Sequence, residues 1–132
     1  MVKMTTSSTD AAAAAVSKMI GPWTRACLDR DWDALLGMCT SDIVFMPPGE
    51  APVSGAAARA WLEAFPPIKR MSWEVTSLEA AEDQAFLRGP VRQTLEIEGV
   101  DEVFDGKFCD LMRREEDGAW RFAVIMWSSN TA

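Results

Sequence analysis

The run FCDLM, residues 108–112, sets one carboxyl among apolar neighbours, and that setting decides what Asp110 can do. In an extended chain alternate side chains share a face. Asp110 therefore faces the same way as Phe104, Phe108 and Met112. Lost hydration pushes such a carboxyl toward its neutral form, which suits a general acid or a hydrogen-bond donor. Two plainer arrangements compete with this: an ion pair with an arginine such as Arg88, or a place in water at a sheet edge. The chain has no His and no Tyr. Imidazole bases, His-containing triads, most catalytic zinc sites and phenol donors are thereby excluded. Acid–base chemistry falls to Asp, Glu, Lys or Cys. Cys27, Cys39 and Cys109 are odd in number, widely spaced and set in apolar stretches. They are expected to be buried thiols in a reducing cytoplasm rather than disulfides or metal ligands. No metal and no cofactor is expected.

The elements that must position Asp110 follow from the hydrophobic periodicity. Residues 1–8 read as a disordered lead-in and 9–132 as a single α+β domain. Thr9 or Asp10 can cap a first helix, in which Val16, Met19, Ile20, Trp23 and Cys27 form a stripe. Pro22 predicts a kink or a fresh start at Gly21-Pro22. Asp31 caps a second helix whose Trp32, Leu35, Leu36 and Cys39 face the core. Ile43–Met46 form a short strand stopped at Pro47-Pro48. Ser54 can cap a third helix with Ala57, Ala60, Trp61, Ala64 and Phe65 on one face, ended by Pro66-Pro67.

Beyond residue 70 the period becomes two. Met71, Trp73 and Val75 alternate with polar residues. Ala85, Leu87, Val91, Leu95 and Ile97 face one side, with Arg88, Arg92 and Thr94 on the other. Asp105 and Lys107 fall opposite Asp110, unless a bulge at Gly106 turns one of them inward. Asp117-Gly118 marks a tight hairpin, and the last strand, WRFAVIMWS, is apolar on both faces. The expected order is three helices around a short strand, then a four-stranded antiparallel meander, with helices segregated on one sheet face.

Composition bounds the function classes. At 132 residues with 48% hydrophobic and 25% charged side chains, the chain is globular, not disordered. A net charge of −7 argues against nucleic acid and against anionic membrane surfaces. No run reaches transmembrane length, and Lys18 interrupts the N-terminal apolar stretch, so a cytoplasmic location is expected. Six Trp and eight Met supply broad, adaptable apolar walls.

Four segments in this order, DRDWDALLGMCTSDIVFMPPGEAPVSG (29–55), AFLRG (85–89), DGKF (105–108) and DGAWRFAVIMWSSN (117–130), resemble the nuclear transport factor 2-like superfamily, specifically its SnoaL-like group. The resemblance runs from about residue 10 onward. It implies a cone-shaped curved sheet packed on three N-terminal helices, with a deep apolar pocket for a small hydrophobic molecule. Met46-Pro47-Pro48 would form the mouth, where one X-Pro bond is a candidate for the cis form. The implied lining is Trp23, Cys27, Phe45, Met46, Pro47, Trp61, Phe65, Phe108 and Met126. The protonated Asp of ketosteroid isomerase aligns with Asp110, which becomes the candidate catalytic residue for an isomerase, dehydratase or cyclase. The isomerase's Tyr falls on Trp23 and its base on Met46 or Pro47, so its known mechanism does not transfer. A non-catalytic ligand-binding or dimerisation module is the alternative. An outer sheet face carrying Arg88, Arg92, Asp105, Lys107, Ile125 and Trp127 implies a homodimer.

Overall fold

The computed structural model describes residues 8–131. The lead-in expected over 1–8 lies outside them except for Ser8, which is already helical. Helix α1 (Ser8–Asp29) is continuous through Pro22. The expected break is avoided because Gly21, Pro22 and Lys18 all lie on its exposed side. The Lys18 carbonyl that proline deprives of a donor therefore faces water. Ala12, Val16, Trp23, Ala26 and Cys27 are its buried stripe. Thr9 is not a cap; its hydroxyl accepts from Ala80 N at 3.0 Å and donates to Ala80 O at 3.3 Å, pinning the helix start to the sheet.

Asp31 caps α2 (Trp32–Gly37) as expected, accepting from Ala34 N at 3.1 Å. Helix α3 (Ala56–Glu63) is capped by Gly55 at φ 61°, not by the side chain of Ser54. Ser54 is instead paired in β2 (Val53–Ser54) with Val44. The buried face of α3 is Ala58 and Leu62, while Trp61 and Phe65 are half-buried. Arg30 fixes the far end of α3 by donating to Glu63 O at 2.7 Å and Phe65 O at 2.8 Å.

The remaining strands are β1 (Cys39–Met46), β3 (Ile68–Trp73), β4 (Ser77–Ala81), β5 (Gln84–Ile97), β6 (Val100–Arg114) and β7 (Trp120–Ser129). The sheet runs β2-β1-β7-β6-β5-β3, with β4 also on β5. It is mixed: the expected four-stranded antiparallel meander is present as β3-β5-β6-β7, and β1 extends the sheet by lying parallel to β7. The result is a curved, unclosed α+β sheet with three helices.

β5 is shared along its length. Ile68–Trp73 pair with Val91–Leu95, and Ser77–Ala81 pair with Gln84–Arg88. Between them the chain passes over Gly89, where Glu74 N donates to Pro90 O at 3.2 Å and Thr76 N to Arg88 O at 2.9 Å. A Cβ at Gly89 would overlap the Glu74 carbonyl, which is backbone and cannot swing away.

All of this predicts that Gly89→Ala destabilises the protein by about 3 kcal/mol or more. Gly21→Ala, on an exposed helical position with no atom within 4 Å of the new methyl, should stabilise it by about 0.5–1 kcal/mol. Urea unfolding of both variants checks the pair.

Candidate functional site

Asp110 occupies the middle of β6, opposite Leu87 on β5 and Ile125 on β7. It is 6% exposed, so its carboxyl is inside the molecule. Oδ1 accepts from Met126 N at 3.3 Å. Oδ2 has no hydrogen-bond partner, yet it is not sealed by protein, since Thr40 Oγ1 is the sole side-chain oxygen or nitrogen found both occluded and unpartnered among the described residues. Asp110 lines an internal cavity, and the free oxygen opens onto it.

That cavity measures about 90 Å³, inside an atom-free space of about 680 Å³ that includes its opening to solvent. The 90 Å³ alone holds several waters or a small ring, and a longer guest would also fill the wider space toward the opening. Of the residues expected to line it, Trp23 and Cys27 from α1, Phe45 from β1 and Phe108 from β6 do so. Trp61 and Phe65, at the C-terminal end of α3, do so as well. Trp23 packs on Phe122 with ring centroids 4.8 Å apart. Its indole N–H donates to no group among the described residues. Trp73 holds Phe108 edge-on at 5.7 Å while donating to Thr24 Oγ1 at 2.9 Å, which ties the sheet wall to α1.

Three expected lining residues lie elsewhere. Met46 alternates with Phe45 on β1, so when Phe45 turns inward Met46 turns away. Pro47 is buried but gives no surface to the cavity. Met126 is 40% exposed on the outer face of β7, and Ile125 and Trp127, expected outside, line the cavity instead. The cause is an irregularity in the β6-β7 register: Leu111 pairs with Val124 but Met112 pairs with Phe122, leaving Ala123 as an extra residue. A one-residue bulge exchanges the faces of everything beyond it.

All described peptide bonds are trans, including those before Pro47 and Pro48. The loop after them reaches the site through Glu50, whose Oε1 accepts from Trp61 Nε1 at 3.1 Å. Trp61 in turn stacks on Phe45 at 5.6 Å and meets Trp127 edge-on at 5.9 Å.

The electrostatics centre on one group. Burial holds the Asp110 carboxyl well above its ordinary pKa of 3.8, opposed only by the Met126 N–H. Among the described residues no salt bridge reaches it. Arg88, its alternative partner, pairs in register with Cys109 and points to the outer face. Burial pushes the Cys27 thiol up to about 12. Cys39 rises to about 12 as well, with burial as the largest cause. Neither is a thiolate nucleophile at neutral pH. Cys109 is exposed, contrary to the expectation of a buried thiol, because it alternates with the inward Phe108 and Asp110. Asp105 and Lys107 are exposed as well; the β5-β6 register is unbroken at Gly106, so no bulge turns them inward.

Gln93 was not singled out in the sequence, yet it is 8% exposed and lines the cavity. It shares its parity on β5 with Ala85, Leu87, Val91 and Leu95, which is the same signal that marks Asp110 on β6. No group of His, Cys, Asp and Glu suited to a metal occurs among the described residues. No helix among them is long and apolar enough to cross a membrane.

A family model described as a SnoaL-like domain matches residues 22–123. No curated protein matches the chain. A conserved protein from Planctomyces limnophilus superposes with a TM-score of 0.76 at 23% identity, covering 89% of this chain and 95% of that one. A ketosteroid isomerase-like protein from Erwinia carotovora atroseptica gives 0.75 at 22%, covering 90% and 96%. A nuclear transport factor 2-like protein of unknown function from Pseudomonas putida gives 0.70 at 24%, covering 92% and 89%. Likeness at these identities carries the fold and not an activity.

The raised carboxyl has a sign in the stability curve. Its folded pKa lies above its unfolded value, so the folded state binds the extra proton between the two. Stability is fully present below the unfolded pKa and is lost as pH rises toward the folded one. Asp110→Asn keeps an oxygen for the Met126 N–H and removes the ionisation. Urea midpoints measured from pH 4 to pH 8 should therefore fall with rising pH in the wild type and stay flatter in the variant. The gap should approach about 1.4 kcal/mol for each unit of pKa elevation crossed.

Proposed function

The chain belongs to the SnoaL-like domain family, and we propose that it binds a small hydrophobic molecule in the Asp110 cavity and acts on it as an isomerase, dehydratase or cyclase without a cofactor. The observation that carries this reading is a carboxyl with one free oxygen, buried without a counter-charge, facing an aromatic-walled space. A neutral carboxyl there can donate to a substrate carbonyl or hydroxyl, and a dry setting strengthens that bond. The unpartnered N–H of Trp23 offers a second donor that cannot itself exchange protons.

One carboxyl suffices for a balanced proton shuttle. In a dehydration Asp110 would protonate the departing hydroxyl, which leaves as water with its bonding electrons. The resulting carboxylate would take the proton from the adjacent carbon, whose C–H electrons form the new double bond. An isomerisation uses the same two half-steps at different atoms. Efficiency requires the acid to be protonated at working pH, which the elevated pKa provides.

A second reading, a ligand carrier without chemistry, is favoured by the lack of another titrating group to assist. Among the described residues Cys27 is the other ionisable side chain at the cavity, and it stays protonated at neutral pH. Thermal-shift screening against steroids, terpenoids and aromatic polyketides tests the shared premise. A ligand at a hundred times its dissociation constant should add about 2.7 kcal/mol of stability. For any bound class that is converted, Asp110→Asn should abolish turnover while binding persists, and wild-type rate should fall as pH rises through the Asp110 pKa. Full activity in the variant excludes this mechanism; binding without conversion selects the carrier.

The homodimer is retained as a proposal on the outer face, where Val103 (56% exposed) and Met126 (40% exposed) lie among Arg88, Arg92 and Lys107. Sedimentation should give a dimer for the wild type and a monomer for Val103→Lys/Met126→Lys. A wild-type monomer at micromolar concentration would contradict it.

A further inference from the structure

Two polar side chains interrupt the apolar wall of the cavity from the sheet, and they stand far apart. Asp110 pairs in register with Leu87, and Gln93 pairs with Phe104. Leu87 and Gln93 are six residues apart on β5, about 20 Å of strand at ~3.3 Å per residue, which curvature of the sheet shortens. Asp110 and Gln93 therefore serve different ends of one space. Asp110 stands between Leu87 on β5 and Ile125 on β7, whereas Gln93 stands beside Met71 on β3, the edge strand.

Gln93 is more than nine-tenths buried but poorly partnered. Its amide nitrogen finds Met71 Sδ at 3.8 Å, a weak acceptor. Its Oε1 has no partner and is not sealed off by protein. Burying an amide in this state is costly unless something completes it. Packing alone would be served by Leu or Met at the same position, as its inward neighbours Val91 and Leu95 show. Among the described residues no Lys or Arg lines the cavity, so none of them places a cation for an acidic guest.

We propose that Gln93 is a second polar anchor of this cavity. Its guest is then an elongated apolar molecule without a free carboxylate or phosphate, carrying a hydrogen-bonding atom near each end. One end meets the Asp110 carboxyl and the other meets the Gln93 amide, which can donate or accept. This rests on the reading of the cavity as a ligand site and adds to it the length and polarity of the ligand.

Matched phenols test it by calorimetry on the full chain: 4-phenylphenol against 4,4′-dihydroxybiphenyl, and 4-hydroxystilbene against 4,4′-dihydroxystilbene. At one of the two lengths the wild type should bind the diol about tenfold more tightly than the mono-ol, the worth of one well-made hydrogen bond. Gln93→Leu and Gln93→Met, both apolar and near in volume, should erase that preference while leaving the mono-ol within about twofold. A diol preference that survives in both variants overturns the assignment to Gln93. A wild type that binds the mono-ols but gains nothing from the second hydroxyl at either length also overturns it. In that case a mono-ol affinity that drops in Asp110→Leu leaves the ligand-site reading standing. If neither mono-ol nor diol binds up to its solubility limit, that reading and this inference fall together.

Discussion

Asp110 is buried on β6 without a counter-charge, and the organisation of the interior turns on that. An ionised carboxylate left unpaired at such depth would cost several kcal/mol, so burial raises its pKa well above the ordinary value and favours the neutral form. Neutrality then sets what surrounds it. No arginine is recruited, the walls are aromatic and aliphatic, and one carboxyl oxygen is satisfied by a strand N–H while the other is left toward the cavity. The same desolvation that raises Asp110 also raises Cys27 and Cys39, so the interior holds its ionisable groups in their uncharged forms together.

The fold supplies this setting by tying the helices to the sheet at a few fixed points. α1 is tied to β4 at Thr9 and to β3 through the Trp73–Thr24 bond, and Arg30 fixes the end of α3. Large rings then meet stacked, tilted or edge-on around the space. Trp61 joins Phe45, Phe65 and Trp127, and Trp23 leans on Phe122. Around this, Leu35, Leu87, Met112 and Phe122 form a fully buried shell. Rigid rings on several elements hold a cavity open where flexible side chains would collapse into it.

Much of this was legible because period two is a direct readout of which face a residue takes. Asp110, Phe108 and Leu87 followed from it, and the α2 cap at Asp31 followed from side-chain chemistry. The failures have physical causes of equal clarity. Strict alternation along β7 inverts Ile125, Met126 and Trp127 because the extra residue at Ala123 has no mark in an apolar run. Likeness to relatives places Met46 at the mouth, whereas alternation on β1 gives the inward position to its neighbour Phe45. β2 and β4 are too short to show a period, and the parallel pairing of β1 with β7 joins segments remote in sequence. Gln93 carried the same signal as Asp110, but a neutral amide draws less notice than a carboxylate.

Everything at the site turns on an Asp110 carboxyl whose pKa burial raises inside an open space. Carbon-13 NMR titration of the side-chain carboxyls, with Asp110→Asn to assign the resonance, measures it most directly. The account predicts a midpoint well above the ordinary 3.8, moving further when an apolar ligand dries the cavity. A midpoint at or below 3.8 would mean a paired or hydrated carboxylate, and the account of the site would fail.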